Sequence, residues 1–267
     1  GRYGFTKDCL VLPFSGDNPS SLIGLGLVTP GQVALSLGTS DTLFACMDQP
    51  RTSKTGEGAV FASPDGEHYM ALTCYLNGSL AREAVRDIYH FDWGSFAEAL
   101  RITVRGNNSG LMLPYFSPEI VPKVSEPSVV RQNLNEADAK ANIRAVIEAQ
   151  ALSSSIHARW MGVDISSLYV TGGASANAEI LRVYSDVHNC PVHRFETANS
   201  AALGAALRAA HGHQSATGNA VSWQETVAPF TEPVAGSTIK PDKDAVAVYR
   251  EMIIEYEALE KAHTVAN

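Results

Sequence analysis

Residues 32–46 read QVALSLGTSDTLFAC. Val33, Leu35 and Leu37 alternate with the smaller Ala34 and Ser36, the period-two pattern of a strand. Gly38-Thr39-Ser40-Asp41 is a turn cluster, and Thr42 to Cys46 resumes an extended apolar run, so the stretch reads as a hairpin. His68 to Thr73 supplies a third strand. Helical sequence follows. Asn77 to Ile88 carries Leu80, Ala84, Val85 and Ile88 on one face, and Trp93 to Val104 spaces Phe96, Ala97 and Leu100 for a second helix.

Residues 106–134 are rich in Gly, Asn, Pro and Ser and read as an irregular excursion. Asn135 to Gly162 is predicted as the longest helix, capped by Asn135, with Ile143, Val146, Ile147, Ile156 and Trp160 near the 3.6 period. Beyond Gly162, strand and helix alternate. A strand spans Leu168 to Val170, the Gly172-Gly173 turn leads into a helix from Asn177 to His188, and Val192 to Phe195 is a strand. An Ala-rich helix capped by Asn199 or Ser200 ends near Ala210. A polar loop region over 212–238 precedes a closing amphipathic helix, Asp244 to Ala262. Strands followed by strand–helix alternation predict the α/β class.

Composition narrows the function classes. The 267 residues are 45% apolar and 18% charged, values of a globular chain with ample core. Twenty basic residues against 28 acidic ones give a net charge of −8, which argues against a nucleic-acid groove and against docking on an anionic membrane. Cys9, Cys46, Cys74 and Cys190 form no CxxC pair and have apolar neighbours. They are expected to be buried free thiols of a reducing, cytoplasmic compartment, with neither zinc nor disulfides. The eight histidines show no metal-ligand spacing, and Ser153 to Ser155 lack an identifiable base, so no nucleophilic site is predicted there.

Three stretches bear on chemistry. In Phe14-Ser-Gly-Asp-Asn-Pro-Ser-Ser21, Gly16 allows a tight turn and Pro19 extends Asn18, with Ser20 or Ser21 starting a short helix. Asp17 there is either a helix-capping Asx-turn or a fixed proton acceptor for a substrate hydroxyl, with Asn18 beside it for another hydroxyl. The Gly38–Thr42 turn is either an ordinary hairpin or a phosphate-binding nest, and no Lys follows it as a Walker A loop requires. At Gly172-Gly173-Ala174, two adjacent glycines between strand and helix let a ligand lie against backbone near a helix N-terminus, with Asn177 one turn in; a simple tight turn reads equally well. The dinucleotide fingerprint, with its third glycine, is absent. The small residues of Thr197 to Ala206 read as structural, letting that helix pack closely on the sheet or on the Gly-Gly turn.

Together, SGDNPSSL, VALSLGTSDTLF, CYLNGSLARE and TGGASANAEILRVYSDV, in this order from about Phe14 to Gly212, resemble the FGGY carbohydrate kinases. The resemblance implies an actin-like ATPase (ribonuclease H-like) domain, a mixed sheet with helices on both faces. It implies that residues 1–30 close an N-terminal kinase domain and carry its catalytic loop, and that residues 31–267 form the C-terminal nucleotide-binding domain. It also implies ATP and Mg2+, D-xylulose as acceptor, Asp17 as general base and Asn18 on the sugar. Gly38 and Thr39 would face the ATP phosphates, with Gly172, Gly173, Ala174 and Asn177 on the nucleotide and Trp93 lining its pocket. The Asp-Gly-Thr phosphate loop expected near a natural N-terminus is missing, and the chain opens Gly1-Arg2-Tyr3-Gly4 without Met or a signal peptide. The expectation is a fragment, inactive alone, whose remaining domain is its partner. A ribulokinase- or glycerol kinase-like specificity, and a non-catalytic actin-like scaffold, are the competing readings.

Overall fold

The computed structural model describes residues 2–196 and 199–264. Its main sheet has six strands: β1 (Gln32–Leu37), β2 (Asp41–Met47), β3 (Ala59–Ala62), β4 (Tyr69–Tyr75), β7 (Ser167–Thr171) and β8 (Val192–Arg194). β5 (Leu111–Tyr115) and β6 (Ser128–Gln132) pair separately. The order is β3-β4-β2-β1-β7-β8. In the first four positions each strand is antiparallel to its neighbour, and β1, β7 and β8 run parallel. Val33 faces Ala45 across the hairpin, and Leu35 faces both Leu43 and Val170. The sheet is thus the mixed one expected.

Alternation sorts the strands' side chains onto two cores. Val33, Leu35, Leu37, Leu43 and Ala45 join the larger one, packed with α2 (Ser79–Ile88), α3 (Trp93–Ile102), α4 (Ala139–Ile156), α5 (Ala178–His188) and α8 (Lys243–Thr264). Ala34, Phe44 and Met70 face the other side and meet Leu22 of α1 (Asp17–Gly24), Leu25, Leu27 and Phe195. Each of the larger side chains contributes about 1.5–3 kcal/mol by leaving water. Helices therefore cover both faces.

Several boundaries differ from the sequence reading. α1 begins at Asp17 itself, with Gly16 as its N-cap, rather than at Ser20 or Ser21. α4 is capped by Asp138, whose carboxylate accepts from the Ala141 amide, and stops at Ile156. Trp160 lies in a 3-10 turn beyond it and donates to Thr73 Oγ1 at 3.2 Å. The 106–134 excursion contains the β5–β6 hairpin, and the loop after α6 (Ser200–Ala216) contains α7 (Trp223–Val227). The strand β3 also escaped the sequence reading.

The Ala-rich helix α6 packs on α1, not on the Gly-Gly turn. Gly24 and Gly204 allow the backbones to touch: a Cβ on Gly204 would lie 1.7 Å from Ser20 O, and one on Gly24 would lie 1.9 Å from Ser200 O. Thr197 and Ala198 of that motif lie outside the described residues. Cysteine burial also needs correcting: Cys46 and Cys190 are buried, Cys74 is half-buried, and Cys9 is exposed because its N-terminal stretch packs little. No helix among the described residues is long and apolar enough to cross a membrane.

Candidate nucleotide site

One cleft of about 1030 Å³ opens where the C-terminal ends of β1 and β7 meet the start of α5. Ligands of open α/β sheets gather at such strand ends. Gly38, Thr39, Trp93, Gly173, Ala174 and Asn177 all line it.

The β1–β2 turn supplies the first wall. Gly38 O accepts from the Ser79 amide at 2.8 Å, tying the turn to the first residue of α2. The neighbouring Gly78 is obligatory, because a Cβ there would sit 2.6 Å from the Asp41 amide and 2.8 Å from Thr39 O. Burial pushes the Asp41 carboxyl up, and the guanidinium of Arg82 opposes that by bonding both of its oxygens.

The glycine turn forms the second wall. Gly172 has φ +87°, a conformation that glycine alone adopts without strain, and its Cα abuts the end of β1. Ser175 tightens the turn by donating to Gly172 O at 2.7 Å. Around Gly173 a Cβ would meet only open space. Asn177 caps α5: its Oδ1 accepts from the Glu179 and Ile180 amides. Its carbonyl is thereby committed to the helix, and its NH2 remains as a donor.

Trp93 stands at the third wall as the first residue of α3. Asp92 caps that helix in a reciprocal capping box with Ser95, which fixes where Trp93 emerges. The residue is 44% exposed, and its ring packs edge-on against Phe96 at 5.3 Å and carries the Arg86 guanidinium 4.6 Å from its centroid.

Asp17 and Asn18 are not in this lining. They stand exposed at the start of α1, where Asp17 Oδ1 accepts from the Asn18 amide at 2.8 Å. Gly172 supports the cleft from behind rather than lining it. Sequence reasoning missed Arg82 and Gln150. The available signal was an arginine interrupting the apolar Ala81–Val85 face of α2.

Two other clusters resolve as structural. Cys46, Asp65 and His68 bring donor atoms within 4.8 Å of one another. Asp65, however, already accepts from the Glu67 and His68 amides and meets His68 Nδ1 at 2.9 Å. His188 lies 2.9 Å from Ser154, and burial drives its imidazole down to about 4. Ser154 donates to Ala151 O, as a helix hydroxyl commonly does.

The mixed sheet with helices on both faces has the actin-like ATPase fold. Residues 33–213 match the FGGY family of carbohydrate kinases, C-terminal domain, and the chain belongs to that family. It is 40% identical over 272 residues to the xylulose kinase of Mus musculus, covering 97% of this chain and 47% of that one. It is 41% identical over 230 residues to xylulose kinase 2 of Arabidopsis thaliana, covering 79% and 41%. A "xyloylose kinase" structure from Brucella ovis superposes with a TM-score of 0.78 at 27% identity, covering 95% of this chain and 52% of that one. The chain spans about half the length of the curated relatives it matches.

Proposed function

We propose that the chain is the nucleotide-binding part of an ATP-dependent kinase that phosphorylates D-xylulose to D-xylulose 5-phosphate. The observation that carries this is the convergence of the Gly38–Thr39 turn, the Gly173–Asn177 turn and Trp93 on one cleft. In this reading residues 1–30 close the preceding domain and dock, through α1, Leu25 and Leu27, on the sheet and α6 of the nucleotide domain, residues 31–267. In the whole enzyme the cleft closes between this domain and a partner domain, for which the greater length of the relatives leaves room.

Phosphoryl transfer needs positioning and charge stabilisation more than covalent help. Trp93 offers an aromatic face to the base and the Asn177 NH2 a donor. Ala174 and Gly173 let the nucleotide lie against backbone, and the Gly38–Thr39 turn turns amide dipoles toward the phosphates. Asp17 accepts the proton of the sugar's 5-hydroxyl as that oxygen attacks the γ-phosphate, and Asn18 orients a second hydroxyl. Magnesium would shield phosphoryl charge in such a reaction; the hairpin's own carboxylate, Asp41, is buried and bonded through both oxygens to Arg82. A cytoplasmic setting suits the four unpaired cysteines.

The test is xylulose-dependent ADP release by the full-length protein and by its Asp17→Ala variant. The expected result is a fall in kcat of about 10²–10⁴ with little change in KM for ATP. Turnover of the variant at the wild-type rate removes Asp17 from the role of base.

A further inference from the structure

Beside the Gly38–Thr39 turn, at the edge of the same cleft, lies a buried guanidinium. Arg82, in the first turns of α2, has 0% exposure and spends its fork on three residues. Nη1 donates to Asp41 Oδ2 at 2.8 Å and to Gln150 Oε1 at 2.9 Å. Nη2 donates to Asp41 Oδ1 at 2.9 Å and to Gly38 O at 3.2 Å. Asp41 opens β2 and faces Leu37 across the turn, while Gly38 opens the turn itself. One planar group therefore holds both ends of the Gly38–Ser40 turn.

The group is itself held. Gln150, from the middle of α4, donates through Nε2 to Asn77 O at 2.8 Å and to Gly78 O at 2.9 Å. Those carbonyls belong to the residues leading into α2, the helix that carries Arg82. The hairpin, α2 and α4 thus close into one ring of hydrogen bonds.

The consequence lies in one peptide plane. In a trans peptide, the carbonyl of one residue and the N–H of the next point in opposite directions. Gly38 O is held by Arg82 Nη2 and by the Ser79 amide. The Thr39 N–H of the same plane therefore points away from them, on the turn that lines the cleft. We propose that Arg82 is a positioning residue that locks the Gly38–Thr39 peptide so that the Thr39 N–H meets a phosphoryl oxygen of the nucleotide.

Energetics favour orientation over simple stabilisation. A buried ion pair is often no more stable than an apolar pair of the same size. Asp41 also neutralises the charge of Arg82, so the guanidinium is a poor long-range attractor for phosphate. What the fork offers is four hydrogen bonds in fixed directions, which a lysine cannot reproduce.

This inference rests on the kinase reading, and its test separates the two. Calorimetry with ATP, ADP and adenosine is run on the full-length protein and on Arg82→Lys, Arg82→Met and the double variant Arg82→Met with Asp41→Leu. The single variants are expected to lose about tenfold or more in ATP and ADP affinity, while adenosine binds within about twofold of wild type. The expected kcat falls and KM for the sugar holds. The double variant, which replaces the pair by apolar volume, is expected to regain the wild-type melting temperature but not the ATP affinity, so it keeps the test alive if Arg82→Met fails to fold. Equal losses for ATP and adenosine, unchanged ATP binding in the single variants, or ATP affinity restored in the double variant would overturn the proposal. Wild-type protein that binds ATP but phosphorylates no sugar would fail the kinase reading while leaving the ATP-against-adenosine comparison to decide the role of Arg82.

Discussion

The Cα of Gly172 rests against the carbonyl of Leu37: a Cβ at that glycine would lie 2.4 Å from the oxygen and 2.7 Å from the carbonyl carbon. This contact seats the glycine turn on the end of β1, one residue before the Gly38–Thr39 turn, so the two walls of the cleft are held together by backbone. Gly172→Ala must move one wall and also strain a φ of +87°. The expected destabilisation is at least about 2 kcal/mol, read from denaturant midpoints of the full-length protein. Gly173→Ala meets open space and is expected to leave the midpoint nearly unchanged while weakening ATP binding. Equal midpoints for the two variants would contradict the packing argument.

The second glycine pair acts on the opposite face of the sheet. Gly24 and Gly204 permit α1 and α6 to touch, and α1 begins with Asp17. Gly204→Ala places a methyl 1.7 Å from Ser20 O, so the helices must separate. The expected cost is about 1–3 kcal/mol. In the kinase reading the same variant lowers kcat more than it raises KM for ATP, because it shifts the base and not the nucleotide cleft. Steady-state kinetics alongside thermal melts check both parts.

Both glycine pairs were legible only in part. The strands β1, β2, β4, β7 and β8 and the helices α2, α3, α5 and α8 announce themselves through the period-two or 3.6-residue spacing of their apolar residues. β3 does not, since its Ala59–Ala62 run is a largely exposed edge. β5 hides behind Pro114 and a preceding run of left-handed residues, Asn107 to Ser109, which read as loop. The cradle residues Gly38, Thr39, Gly173, Ala174 and Asn177 were visible as turn chemistry. The Arg82–Asp41–Gln150 ring was not, because its members are 41 and 68 residues away from Arg82 and local pattern carries no such partner information. The same holds for Gly204, whose small size was legible but whose partner helix was not.

Thiol reactivity separates the four cysteines. Burial, aided by the negative charges of Asp65 and Asp48, pushes the Cys46 thiol to about 12, and burial pushes Cys190 to about 12 as well. Against an ordinary thiol near 8.5, each carries roughly 10³-fold less thiolate near neutral pH. Cys9 is exposed. A disulfide reagent at pH 8 is therefore expected to label Cys9 first, with Cys46 and Cys190 reacting only on unfolding. Peptide mapping after a short exposure reads the result, and early labelling of Cys46 would contradict the burial of β2.

The last prediction concerns pH. His157, just past α4, lies between two carboxylates: Nδ1 is 2.9 Å from Glu57 Oε1 and Nε2 is 2.8 Å from Glu260 Oε1. A neutral imidazole has one N–H and one lone pair, so only the doubly protonated ring can donate to both. Burial pulls its pKa down, but the hydrogen bonds and charges of Glu260 and Glu57 outweigh this and raise it above the ordinary 6.5. A group that binds its proton more tightly when folded stabilises the fold fully below its unfolded pKa and loses that contribution as pH rises through the folded one. The clamp joins the 48–58 loop, the end of α4 and α8, so its loss loosens the packing of α8 on the domain. His157→Gln is expected to cost about 1–3 kcal/mol near pH 6 and progressively less toward pH 9. Urea midpoints of wild type and variant across that range measure the gap; a gap that is constant or widens with pH would show that the imidazole is held neutral instead.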